Sequence, residues 1–144
     1  MNKSKCLKVF LLVFSLGFIF SCGGGGYSTH SPSPSVNATG TWHGSYNSTV
    51  FGAQTMTLNI QQNGAALTGT YSSSTGATGT ISGTVSDNTA SFTITVTTSG
   101  CSGNFDGTGI IDTQANPNTM SFQYNGSSTC GGNESGTGNL TKQY

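Results

Sequence analysis

The stretches Ala66-Leu67-Thr68-Gly69-Thr70-Tyr71, Gly79-Thr80-Ile81-Ser82-Gly83-Thr84-Val85 and Ser91-Phe92-Thr93-Ile94-Thr95-Val96 each alternate an apolar residue or glycine with threonine or serine. A period of two places one set of side chains in a core and the other in water, so each stretch reads as a half-buried strand. The links between them are short and carry Gly, Asn, Asp or Ser, which favours antiparallel neighbours. Extending the test both ways predicts strands over Gly40–Tyr46, Gln54–Gln61, Ala65–Tyr71, Thr78–Ser86, Thr89–Thr97, Asn104–Asp112, Asn118–Asn125 and Glu134–Lys142. No helical period interrupts them. Eight strands in simple succession predict an all-β, eight-stranded antiparallel up-and-down β-barrel, because closing the first strand on the last leaves no exposed edge.

Alternate turns of such a meander lie at the same end. Cys101 follows the fifth strand and Cys130 the seventh, so both reach one rim, where a disulfide is expected in an exported protein. Strand direction then sorts the inward residues into layers. Trp42, Ile60, Leu67, Val85, Phe92, Ile111, Met120 and Leu140 plug the end away from the cysteines. Leu58, Ile94 and Phe122 share the middle with Gly44, Gly69, Gly83, Gly107 or Gly109, and Gly136 or Gly138. Tyr46, Met56, Tyr71, Ile81, Val96, Phe105 and Tyr124 stand near the cysteine rim, and Glu134 either faces that rim or points to solvent. The inward glycines have two readings: they fill a tapering solid core, or they leave a cavity ringed by tyrosines. Longer links at the rim, over 47–53, 72–77, 98–103 and 126–133, are where a binding surface is expected.

Outside the barrel, Met1 to Lys8 is basic, Val9 to Phe20 is almost wholly apolar, and Ser21-Cys22 follows. That pattern describes a secretory signal over 1–21, too short for a comfortable membrane span. Residues 22–38 are rich in Gly, Ser and Pro and read as a flexible tether before a barrel domain over 39–144. His30 lies in that tether, and a lone histidine there reads as solvated. Without the signal, Lys142 stands against Asp87, Asp106, Asp112 and Glu134, a net side-chain charge of −3 with no arginine anywhere. One lysine cannot build a basic patch, which excludes nucleic acid as an expected partner.

Catalytic residues are not expected. His43, the barrel's single histidine, has outward parity beside inward Trp42. Asp106 and Asp112 sit at opposite ends of one strand, and no Gly-x-Ser-x-Gly turn is present. Cys101 and Cys130 lack neighbouring histidines, so no metal or other cofactor is expected.

Two resemblances add to this reading. Ile19-Phe20-Ser21-Cys22 resembles the lipobox of bacterial lipoproteins, which implies a lipidated Cys22 as the first mature residue. Gly23 in place of Asp implies sorting to the outer membrane of a two-membrane bacterium. Gly40-Thr41-Trp42 with Leu67-Thr68-Gly69-Thr70-Tyr71 resembles the avidin and streptavidin family over about 39–141. That resemblance implies a barrel whose ligand enters at the disulfide-bearing end. It places the family's ligand-bonding hydroxyls on Ser48, Tyr71 and Ser73 and three walling aromatics on Phe92, Phe105 and Phe122, while Gly44 replaces an asparagine. The functional expectation is a non-catalytic, lipid-anchored module that binds a small uncharged or aromatic ligand, or a short protein loop, through Tyr46, Ser48, Tyr71, Ser73, Phe105 and Tyr124. The alternatives are a solid structural or interaction protein of the envelope, and a hydrolase inhibitor.

Overall fold

The computed structural model describes residues 34–98 and 100–144. The expected signal, Cys22, His30 and the tether as far as residue 33 lie outside the described residues. The eight strands are β1 (Gly40–Ser48), β2 (Gly52–Asn63), β3 (Ala66–Ser73), β4 (Thr78–Ser86), β5 (Thr89–Thr98), β6 (Cys101–Asp112), β7 (Thr119–Ser128) and β8 (Gly132–Gln143). They pair antiparallel in chain order, and β1 closes on β8 through eight register pairs from Thr41↔Gln143 to Ser48↔Gly136. The barrel therefore has no free edge to offer a second chain.

Burial follows the alternation. Trp42, Leu58, Ile60, Leu67, Val85, Ile111, Met120 and Leu140 are buried inside, while Thr, Ser and Asn occupy the outer positions. The strands run further toward the disulfide rim than their apolar pattern does. Ser48 pairs with Gly52, Thr98 with Cys101 and Ser128 with Gly132, so three of the expected long rim links become tight turns. Backbone pairing does not require apolar side chains where the wall rises past the core. The longest connection, 113–118, is at the opposite end.

A second difference lies at the entry to the barrel. Val36 and Ala38, expected in the tether, belong to the core, with Ala38 fully buried. They continue the alternation of Trp42 backward across the sealed end. Trp42 Nε1 donates to Ala38 O at 2.8 Å, Ala38 N donates to Gln62 Oε1 at 2.7 Å, and Ser35 N donates to Asp87 O at 3.1 Å. Lys142 Nζ lies 5.8 Å from the centroid of the Trp42 ring and donates to Asn37 O at 3.1 Å. The incoming chain is thus a stopper for that end, and Val36 and Ala38, before Thr39, are part of the barrel's core.

The inward glycines make room for rings on the neighbouring strand. Gly107, Gly136 and Gly138 face Phe92, Tyr124 and Phe122 across their strand pairs. A methyl group at Gly138 would stand 2.6 Å from Phe122 Cε1, and one at Gly136 would stand 2.6 Å from Tyr124 Cε1. On the other flank of Phe92 a glycine brings backbones together, since a methyl at Gly83 would stand 2.7 Å from Phe92 Cα. Rings laid across glycines thus lie against a tightly coiled wall, while Trp42, Leu67, Met120 and Leu140 fill the lower barrel.

The disulfide joins Cys101, at the start of β6, to Cys130, in the turn after β7, with a Cα separation of 5.5 Å. Two outcomes are expected on urea denaturation. Gly83→Ala, which forces apart two paired backbones, loses about 1–3 kcal/mol, whereas Ser82→Ala on the outer face stays within about 0.5 kcal/mol of the parent. Replacing both cysteines by serine removes about 3–4 kcal/mol, the loop-closure value for a 29-residue separation.

Candidate functional site

At the disulfide rim the inward side chains stop short of filling the barrel and leave a cavity of about 290 Å³. Its walls are Tyr46, Tyr71, Phe92, Phe105, Phe122 and Tyr124, with Met56, Ile94 and Val96 between them. The mouth is bordered by Phe51, Thr75, Ala77, Thr98, Ser128 and the two cystine halves. A dry cavity about half this size holds benzene, so there is room for roughly a dozen non-hydrogen atoms.

The aromatic residues support one another. Tyr124 is central: its ring lies 6.1 Å from Tyr46 and 5.9 Å from Phe105, both edge-on, and stacks on Phe122 at 6.3 Å. Phe92 meets Phe122 edge-on at 6.4 Å. These separations fall in the favourable range for aromatic pairs and hold the walls in place without a ligand.

One carboxyl group lines this apolar space. Glu134, near the start of β8, shares the parity of Gly136, Gly138 and Leu140, and it is 8 % exposed. Ser48 Oγ and the Tyr124 hydroxyl both donate to its Oε1, each at 2.7 Å. Ser48 Oγ in turn accepts from Val50 N and Phe51 N at 3.1 Å each. The carboxylate is therefore tied through Ser48 to the β1–β2 turn, whose Phe51 hangs half-exposed over the mouth. No salt bridge is formed among the described residues, whose single lysine, Lys142, is at the sealed end.

The expected site residues sort as follows. Tyr46, Tyr71, Phe105 and Tyr124 are brought together as cavity wall. Ser48 is buried, but its hydroxyl is spent on Glu134 and the turn and does not line the cavity. Ser73 has inward parity at the lip, yet its hydroxyl is paired with Thr75 Oγ1 at 2.6 Å and the cavity is lined by Thr75 and Ala77 instead. Phe92, counted in the plugged layer, reaches the cavity floor, while Ile81, counted at the rim, is buried away from it. Barrel strands tilt, so counting residues from strand ends misplaces layers. Phe51 falls in the 47–53 link expected to carry a binding surface, but a turn has no parity to single it out.

Elsewhere the candidate chemistry is dispersed. His43 is exposed, its Nδ1 3.0 Å from Thr57 Oγ1, and Asp106 Oδ1 accepts from Thr93 Oγ1 at 2.6 Å on the outer wall. Among the described residues no three of His, Cys, Asp and Glu converge. No protein-family model matches the sequence, and no curated protein matches it.

Burial pushes the Tyr46 and Tyr124 phenols well above their ordinary range, reinforced by Tyr71 in the first case and by the bond to Glu134 in the second. The native state keeps protons that the unfolded chain releases. Stability from these groups is fully present below the ordinary phenol value of about 10 and is lost as pH rises above it. Ultraviolet titration should accordingly find two phenols that ionise only as the barrel unfolds. A single step for every tyrosine near that ordinary value would contradict the buried arrangement.

Proposed function

We propose that the domain is a non-catalytic binding module that takes a small, largely apolar, aromatic-compatible ligand into the rim cavity. The observation that carries this reading is the cavity itself: about 290 Å³ held open by mutually supporting rings, with one buried carboxyl group at its wall. Apolar enclosures with few, well-placed polar groups are the usual form of small-ligand sites. Rings on rigid strands also lose little entropy on binding.

The anchoring proposal fits this geometry. With Cys22 lipidated and held at an outer membrane, attachment is through the chain that enters at the sealed end, and the mouth stays free for ligand. The lipobox resemblance and the Gly23 that follows Cys22 support that placement. The avidin-like resemblance supports the same end of the barrel as the site.

A second reading, an envelope interaction protein, is favoured by a shallow polar groove on the outer wall. Asn47, Asp106, Gln123, Asn125 and Thr137 line it across β6, β7, β8 and β1. Indole, neutral and small enough for the cavity, separates the two. Calorimetry should show Tyr71→Ala weakening indole binding at least fivefold and Gln123→Ala leaving it unchanged, and native mass spectrometry of protein from its own host should show a retained small molecule. Absence of both indole binding and a retained molecule would sink the cavity reading.

A further inference from the structure

Glu134 is a carboxylate more than nine-tenths buried in the wall of an otherwise apolar and aromatic cavity. Both hydrogen bonds that reach it fall on Oε1, from the neutral hydroxyls of Ser48 and Tyr124. Among the described residues nothing donates to Oε2. Lys142, the one lysine of the barrel, is spent at the other end on the Trp42 ring and Asn37 O. His43 is outside the barrel wall with Thr57. A buried charge is costly unless an opposite charge and further hydrogen bonds compensate it, and here the chain supplies only part of the hydrogen bonding.

Resting on the reading of the cavity as a ligand site, we propose that the ligand is a hydrophobic amine, whose ammonium group meets Glu134 Oε2 while its apolar body lies among Phe92, Phe105 and Phe122. The cavity suits a cation in two ways. Its carboxylate is held in place before any ligand arrives, since Ser48 and Tyr124 fix Oε1 and leave the second oxygen without a donor in a residue that lines the cavity. The Tyr46, Tyr71 and Tyr124 rings around it present π faces and edges, and aromatic faces attract ammonium groups, more strongly where water is excluded. An organic anion of the same shape would be opposed by the buried carboxylate. A neutral alcohol could bond Oε2 but would leave the charge uncompensated.

Three probes of one shape test this with the purified protein: 3-phenylpropylammonium, 3-phenylpropanol and 3-phenylpropionate, titrated by calorimetry at physiological ionic strength. The expected order is ammonium at least tenfold tighter than alcohol, with the carboxylate weakest. In Glu134→Gln the ammonium loses at least tenfold while the alcohol changes by less than threefold. Equal binding of ammonium and alcohol to the parent protein overturns the amine inference and leaves the cavity reading standing. So does an ammonium preference that survives Glu134→Gln, because it then belongs to the acidic surface. Binding of none of the three overturns both. If the Gln variant folds poorly, equal binding of ammonium and alcohol to the parent protein still overturns the inference, and failure of indole to compete with the ammonium there overturns it as well.

Discussion

The contact on which this structure depends is an aromatic ring lying across a glycine of the next strand. Phe92 over Gly107, Phe122 over Gly138 and Tyr124 over Gly136 repeat it around half of the barrel. The glycine lets the ring descend onto backbone, and the ring supplies the apolar area that the glycine lacks. Glycine within a strand costs about 0.5–1 kcal/mol relative to alanine, so a wall this rich in it is tolerable only where neighbouring side chains recover the loss in packing. Because those rings are pinned sideways to the wall, the volume above them is left as a cavity at one end.

The two ends of the barrel are consequently different chemical objects. One is closed by Trp42, by the Val36 to Ala38 segment crossing beneath it, and by Lys142 over the indole. The other is held by the cystine and presents rings, a mouth and one buried acid. Ser48 connects the acid to the turn that carries Phe51, so the polar network and the edge of the mouth are one hydrogen-bonded unit. In a low-dielectric cavity such a network acts more strongly than it would in water.

Much of this was legible in the chain, and for a physical reason: a strand wall converts sequence parity directly into inside and outside. Strand number, strand order, the cystine and the placement of Tyr46, Tyr71, Phe105 and Tyr124 all follow from parity and turn counting. Strand tilt was not legible, which is why Phe92 and Ile81 exchange layers. Nor was the continuation of pairing into polar residues at the rim, where Ser48 to Gly52 and Ser128 to Gly132 pair without any apolar cue. Val36 and Ala38 did carry the period of two, but a Gly, Ser and Pro-rich neighbourhood obscured it. For Glu134, parity left burial and solvation equally open, and only the positions of Ser48 and Tyr124 decide between them.

The central claim is that Trp42, Leu67, Met120 and Leu140 fill the lower barrel and that rings laid over glycines confine the void to the cystine end. Diffraction from a crystal under xenon pressure tests it most directly, because xenon enters apolar voids and scatters strongly. The account predicts one internal xenon site, among Phe92, Phe105 and Phe122. Xenon density beside Trp42 and Leu140 at the far end, or none inside the barrel, would contradict it.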